Sequence, residues 1–293
     1  MERISFYDQI AANKRKSILL MFVIFVVFIA LGYVISQIYS QGSFFFIMII
    51  ATIFSLSYIL ISYYNSDKIA IASVGAMPAS NAQFRQYYNS VEGLTLASGM
   101  PMPKLYVMQN EQINAFATGR DPQHAVICVT TGALEKLNKQ ELEGVLAHEL
   151  SHVANFDIRF MTLVAVMVGM ISIISQMFLR SLWYRGSNDR KGNAGAILML
   201  IGIVLAILAP ITVQLVQLAI SRKREFTADA TAVKFTRYPP GLKNALKKIK
   251  NDQPMKVSKA IAPLFMSDPS RKLSNLFSTH PPLEERIKML EEM

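Results

Sequence analysis

The chain has little cysteine and, over long stretches, no charge. Its 293 residues include one cysteine, Cys128, so an internal disulfide is excluded and a reducing compartment is indicated. Cys128 lies in a short β-branched run and is expected to fill the core. No Asp, Glu, Lys or Arg occurs from Ser17 to Ser66, and 52% of all residues are hydrophobic, which is high for a soluble protein. The long uncharged stretch and the high hydrophobic content predict a membrane protein.

The uncharged run divides into two candidate membrane helices, 18–36 and 44–63, around a polar connector. Each is close to the roughly 20 apolar residues that a membrane span needs. A cleavable signal peptide is excluded because the first apolar core is too long and a second span follows directly. Basic residues precede the first span and none lies in the connector, so the positive-inside rule predicts a cytoplasmic N-terminus.

Two further uncharged stretches, 161–179 and 193–221, predict a hydrophobic helical hairpin. Their connecting loop is basic, which conflicts with the orientation of the first pair if both segments cross the membrane. Full crossing and a shallower hairpin therefore both stay open. The predicted divisions are an N-terminal tail with two transmembrane helices, the first part of a cytoplasmic domain, the hairpin, and the second part of that domain: 1–64, 65–156, 157–221 and 222–293.

The net charge of +10 does not indicate a nucleic-acid partner. No nucleic-acid motif is present, and basic cytoplasmic flanks of a membrane protein explain the charge more simply. Inside the first part of the soluble domain, 105–109 and 125–130 have the β-branched and aromatic composition of strands. A short helix is predicted at 133–137. His124 precedes a strand and is expected at the surface.

The sequence His148-Glu149-Leu150-Ser151-His152 has the form H-E-x-x-H. It lies in a proline-free run whose apolar residues recur at three- and four-residue steps, so a helix starting near residue 138 or 139 is predicted. Residues four apart share a helix face, and His148 and His152 can therefore direct two imidazoles at one metal ion. Glu149 lies about 100° round the helix, near any water at that metal. This is the arrangement of zinc metalloproteases, and chance is the alternative.

The two ends of the predicted hairpin emerge on one side, which brings Glu225 near the histidines although it follows His152 by 73 positions. A catalytic zinc ion commonly takes two histidines and a glutamate. Glu225 is therefore the predicted third ligand. Asp229, one turn later, is placed to accept a hydrogen bond from the non-ligating nitrogen of a zinc histidine. Ordinary polarity of a helix rich in basic residues is the alternative for both.

Several segments in combination resemble the HtpX family of membrane zinc proteases, relatives of the type I CAAX prenyl proteases. Together with the hydrophobic segments they extend the resemblance over nearly the whole chain. At Phe156 the chain departs from the glycine expected in that family, which bears on local packing more than on metal binding. The segments are 114–119, 148–157, 221–230, 241–246 and 278–287.

The resemblance implies an α+β fold, mostly helical, in which multi-pass transmembrane helices carry a gluzincin-type zinc protease domain with a small β-sheet. It implies an ATP-independent endopeptidase with one Zn²⁺ per chain. Its polypeptide substrates would be misfolded or damaged membrane proteins, cut under heat or envelope stress. The implied location is the bacterial plasma membrane, with the lipid bilayer as partner, the catalytic domain in the cytoplasm and other quality-control proteases as possible partners.

The resemblance also implies roles for residues outside the metal helix. Asn114, Ala115 and Phe116 resemble the family's substrate-binding edge, where an exposed strand would pair with an extended peptide. A plain loop with a structural asparagine is the alternative. Asp157 matches the family's aspartate after the metal helix and is expected either to be structural or to contact a metal ligand. His280, held before two prolines, is a candidate hydrogen-bond donor to the oxyanion, with a structural cap as the equal alternative.

The predicted chemistry is peptide hydrolysis with Glu149 as general base, which takes a proton from water and passes it to the leaving amine. Two other classes compete with this interpretation. A catalytically silent scaffold would use the zinc for structure, but structural sites usually have four protein ligands and no cysteine lies near the motif. A transporter would need a charged residue within its apolar segments, and these contain none.

Overall fold

A computed structural model of the chain describes residues 6–36, 43–167, 169, 171, 202, 222–255, 257, 262–267 and 281–293. The described part is mostly helical with one small mixed sheet, as the sequence predicts. The strands are β1 (Met77–Pro78), β2 (Lys104–Met108), β3 (Ala115–Gly119) and β4 (Ala125–Thr130). The helices are α1 (Phe6–Ser36), α2 (Phe44–Tyr64), α3 (Ser66–Ser73), α4 (Arg85–Ser98), α5 (Thr131–Lys136), α6 (Lys139–Ala154), α7 (Arg222–Thr236), α8 (Pro239–Asn251) and α9 (Leu283–Glu291).

Helices α1 and α2 form an antiparallel pair held by aromatic contacts. The ring of Phe28 in α1 meets Phe54 and Tyr58 of α2 edge-on, with centroids 5.3 and 5.0 Å apart. Other large apolar side chains of α2 point outward, including Phe45, which is 77% exposed. Among the described residues, α2 is the one helix that is long and apolar enough to cross a membrane. The multi-pass topology therefore stays a prediction.

The predicted hydrophobic hairpin lies mostly outside the described residues. A helical stretch runs over 157–167 directly after α6, and its apolar residues are buried. Leu163 and Met167 pack with Leu20 of α1 and Tyr58 of α2 in one apolar cluster. The start of the predicted third hydrophobic segment thus lies against the first two helices.

The sheet has the strand order β1-β2-β4-β3 and places β3 at one edge. β2 and β4 run parallel, whereas β1 with β2 and β3 with β4 are antiparallel. β2 and β4 match the two predicted strands within one residue at each end. Cys128 in β4 is fully buried, as expected, and His124 lies in a 3₁₀ turn, with its side chain 48% exposed and bonded to Asp121.

Helix α6 carries the H-E-x-x-H sequence and begins with a capping box. The Asn138 side chain accepts a hydrogen bond from the Glu141 N–H at 2.9 Å, and the Glu141 carboxylate accepts one from the Asn138 N–H at 2.8 Å. These bonds satisfy helix N–H groups that would otherwise lack partners. Every residue of α6 from Gly144 to Val153 is buried, and the helix packs against α4, α7, α8 and β3. A buried helix is a rigid base for a metal site.

Candidate metal centre

His148 and His152 project from one face of α6 toward Glu225 of α7. Their Nε2 atoms lie 3.2 Å apart, and the Glu225 carboxylate oxygens lie 3.5 Å from Nε2 of His148 and 3.6 Å from Nε2 of His152. One candidate ligand atom from each of the three residues falls within 4.8 Å of the other two. All three side chains are at least 93% buried. The structure thus brings together the three residues predicted from sequence as metal ligands.

The other nitrogen of His148 is held by Asp229, one turn after Glu225 on α7. Nδ1 of His148 lies 2.9 Å from Oδ1 of Asp229. Burial and the charge of Arg286 lower the pKa of His148, but the Asp229 and Glu225 carboxylates outweigh both and raise it to about 9. The carboxylates therefore favour positive charge at this imidazole, which a divalent ion can supply in place of a proton.

His152 is also oriented by a carboxylate, that of Asp157, which lies just after the C-terminal end of α6. Its Nδ1 lies 3.0 Å from Oδ2 of Asp157, which is 1% exposed. Asp157 Oδ1 in turn accepts a 2.6 Å hydrogen bond from Asn13 of α1 and lies 3.7 Å from the Arg224 guanidinium. A carboxylate on the second nitrogen fixes both the tautomer and the ring orientation of a metal-binding histidine.

Glu149 lies beside the two histidines without belonging to the group of three. Its carboxylate is 1% exposed, accepts from the backbone N–H of Ala117 in β3, and has an Oε1 without a hydrogen-bond partner among the described residues. Burial raises the pKa of Glu149. A buried carboxylate oxygen with an open bonding position, adjacent to metal ligands, is suited to bind a reacting water.

The β3 edge is covered by the chain itself over its first two residues. The N–H of Met266 donates to the Ala115 carbonyl at 2.8 Å, and Phe265 forms an antiparallel bridge with Phe116. Asn114 donates from its side chain to the Ser267 carbonyl at 3.3 Å. All of these residues are buried. The strand is therefore not exposed there, in contrast to the exposed edge that the family resemblance implied.

Arg286 is a residue of the site for which the sequence predicted no role. It is fully buried and donates from Nε and Nη2 to both oxygens of Asp229, at 2.8 and 2.6 Å. Nη1 lies 3.6 Å from Glu225 and donates to the Met266 carbonyl at 3.0 Å. The sequence contained a signal, because Arg286 shares a face of α9 with the buried Leu290 four positions on. A charge on an apolar face needs a buried partner.

Two further residues were singled out in the sequence, His280 and Phe156. His280 lies outside the described residues, so its predicted role stays a prediction. Phe156, where a glycine was expected, has a φ of +58°, in the left-handed region that glycine adopts without strain. Its ring is covered by Lys14 of α1 and by Arg159, at 4.5 and 5.2 Å from the centroid. The departure is accommodated by local packing and leaves His152 in position.

Comparisons with known proteins agree with this geometry. The model of peptidase family M48 matches residues 78–293. Over 299 aligned residues the chain is 46% identical to a "Protease HtpX homolog" of Caldanaerobacter subterraneus subsp. tengcongensis, covering 100% of this chain and 99% of that protein. Proteins of the same name from Thermoanaerobacter pseudethanolicus and Dictyoglomus thermophilum are both 44% identical, covering 100% of this chain and 99% and 96% of theirs.

Among solved structures, the crystal structure of S. mikatae Ste24p is similar to this chain with a TM-score of 0.48 and 22% sequence identity. That similarity covers 96% of this chain and 65% of the Ste24p chain.

Proposed function

This chain belongs to peptidase family M48, and we propose that it is a membrane-bound, zinc-dependent endopeptidase. The observation that carries the proposal is the convergence of His148, His152 and Glu225 within 4.8 Å, beside the buried carboxylate of Glu149. Two histidines and a glutamate are a common ligand set of catalytic zinc, which keeps a coordination position for water or substrate. The proposed stoichiometry is one Zn²⁺ per chain.

The charges around the histidines fit a divalent cation. Four carboxylates and two guanidinium groups leave two negative charges around a buried site, and a divalent ion balances them. Bound there, a zinc ion would supply Lewis acidity toward water and toward the scissile carbonyl. The charged groups are Glu149, Asp157, Glu225, Asp229, Arg224 and Arg286.

Glu149 is the proposed general base and acid of peptide hydrolysis. Burial shifts the pKa of Glu149 upward, toward neutral pH. A group whose pKa lies nearer the working pH transfers protons more efficiently in both directions. Glu149 takes the proton from the attacking water and delivers it to the leaving amine. Asp229 and Asp157 hold the two imidazoles still during this exchange. His280 is proposed as a hydrogen-bond donor to the oxyanion.

The proposed substrate position is the edge of β3, with Asn114, Ala115 and Phe116 as its first residues. Pairing with backbone groups would accept many sequences, as a protease for misfolded chains requires. Because Met266 bonds to Ala115, a peptide can add to the whole edge only if the 264–267 segment leaves it. At Ala117, whose backbone N–H donates to the Glu149 carboxylate, the edge lies close to the proposed reacting centre.

The proposed setting follows from the hydrophobic helices and from the relatives named as HtpX homologues. We propose a multi-pass protein of the bacterial plasma membrane whose two soluble parts, 65–156 and 222–293, form one cytoplasmic catalytic domain. Misfolded or damaged membrane proteins under stress are its proposed substrates. A scaffold with structural zinc is the main competing function. Among the residues that the structure describes, three side chains and not four converge as ligands, which favours catalysis.

The test is cleavage of an unfolded substrate such as casein by the purified, full-length protein in detergent. A chelator should abolish cleavage, and added zinc should restore it. Glu149→Ala should retain one zinc per chain in metal analysis and lose about 10²–10⁴-fold in rate. Wild-type rates in Glu149→Ala would show that the base is assigned wrongly, and chelator-resistant cleavage would exclude a metalloprotease.

A further inference from the structure

The start of helix α1 lies on the turn that follows the metal helix. Asn13 is 7% exposed, and its amide donates to Oδ1 of Asp157 at 2.6 Å and to the carbonyl of Asn155 at 3.1 Å. The second oxygen of Asp157 lies 3.0 Å from Nδ1 of His152. One carboxylate is therefore shared between α1 and a predicted metal ligand.

A second contact holds α1 on the same turn. Nζ of Lys14 lies 4.5 Å from the centroid of the Phe156 ring, a cation–π distance. Phe156 links Asn155 to Asp157 and has left-handed backbone angles, so its conformation needs support from the surroundings. Neighbouring residues of α1 thus bind the side chain of Phe156 and the polar groups on either side of it.

These contacts have a direct consequence for the imidazole of His152. Asp157 is buried, and its orientation depends on the donors around it. Without the Asn13 amide, Oδ1 loses its shortest described hydrogen bond, while the Arg224 guanidinium stays 3.7 Å away. The carboxylate is then free to rotate away from His152, and the ring that it orients loses its fixed tautomer.

We propose that Asn13 is a positioning residue for the metal centre, tying helix α1 to His152 through Asp157. This proposal rests on the proposed function, because it assumes that His152 binds the metal. It makes the first hydrophobic helix part of the support of the site, and not an anchor alone. The predicted effect lies in metal binding and turnover, with little effect on substrate binding.

The experiment compares Asn13→Ala, Asn13→Asp and the control Ser17→Ala in the full-length protein. Ser17 is also buried in α1, one turn on, but its hydroxyl donates to the carbonyl of Asn13 within the helix. Zinc affinity is measured by competition with a chelator, and ligand geometry by the visible spectrum of the Co²⁺-substituted protein. The values of kcat and KM come from cleavage of a fluorogenic peptide.

Asn13→Ala should weaken zinc binding about 10–100-fold, as loss of a residue that supports a metal ligand typically does. It should shift the Co²⁺ spectrum and lower kcat, with KM within about twofold. Asn13→Asp keeps the volume but puts a carboxylate against Asp157, so it should be worse than alanine. Ser17→Ala should match wild type. Equal behaviour of all three variants would overturn the proposal.

A double-mutant cycle separates positioning from packing. If Asn13 acts through Asp157, then Asn13→Ala should lower the zinc affinity only slightly in a protein that already carries Asp157→Ala. Fully additive losses of zinc affinity, or an equal loss of melting temperature with and without zinc, would overturn the proposal. Wild-type zinc binding and chelator-sensitive cleavage are measured in the same preparation. Their absence refutes the proposed function, whereas their presence with normal Asn13 variants refutes this inference alone.

Discussion

Among single residues, Arg286 supports the metal ligand His148 through Asp229. It is fully buried, and both oxygens of Asp229 accept from it, while Asp229 holds His148. Burial raises the pKa of Asp229, but Arg286 and His148 more than compensate and hold it below its usual value. A buried pair of this kind is costly to break, because the remaining charge has no water around it.

Replacing Arg286 by methionine should therefore lower the free energy of unfolding by about 3–5 kcal/mol. It should also weaken zinc binding about 10–100-fold, because Asp229 no longer fixes His148. Arg286→Lys keeps the charge but not the two-pronged geometry, so an intermediate loss is expected. Thermal melting and chelator competition measure both. Lys288→Met, on an exposed position of the same helix, is the control, and equal results for Arg286→Met and the control would contradict this account.

At the scale of elements, the contact between α6 and α8 determines where the metal helix lies. Gly144 has no Cβ, and one added there would come within 2.4 Å of the backbone nitrogen of Leu242 in α8. Backbone atoms cannot rotate away as a flexible side chain can. The helices therefore approach closely at a glycine one turn before His148, and a larger residue has to push them apart.

Gly144→Ala should lower the free energy of unfolding by about 1–3 kcal/mol, the usual cost of overpacking. Gly93, in helix α4, is exposed and has no atom within 4 Å of an added Cβ. The same substitution there should raise stability by about 0.5–1 kcal/mol, because alanine is the better helix former. Thermal melting of both variants checks the pair, and changes of the same sign would show that close packing at Gly144 is not limiting.

At the scale of the whole molecule, a bound metal would join parts of the chain that are far apart in sequence. The predicted ligands come from α6 and α7, and the supporting residues Asn13 and Arg286 come from α1 and α9. An ion that binds this assembled site and not the unfolded chain stabilises the fold by mass action, by about 4 kcal/mol at a thousand times its Kd.

Removal of zinc with a chelator should therefore lower the melting temperature of the wild-type protein in detergent. Glu225→Ala removes a ligand and should make the melting temperature insensitive to zinc and chelator. Glu284→Ala removes an exposed carboxylate that pairs with Lys250, and should leave the zinc-dependent shift intact. A zinc-dependent shift of wild-type size in Glu225→Ala would contradict the ligand assignment.

The features that depend on local pattern could be predicted from the sequence alone. The helix around His148 and His152 follows from a proline-free run with apolar residues at helical spacing. The strands β2 and β4 follow from short β-branched runs. The role of Glu225 as third ligand could also be predicted, because a hairpin that doubles back brings its two ends together. Each of these inferences needs neighbours in sequence or one simple topological rule.

The contacts that depend on how distant elements dock are seen only in the folded structure. Nothing in the sequence places Asn13 on Asp157, Arg286 on Asp229, or Met266 on the edge of β3. The residues of each pair lie 57 to 151 positions apart in the sequence, and no local pattern specifies that they meet. Hydrogen bonds and buried ion pairs form only after packing has brought the groups within about 3 Å. Spacing predicts which face a residue occupies, and packing decides what that face meets.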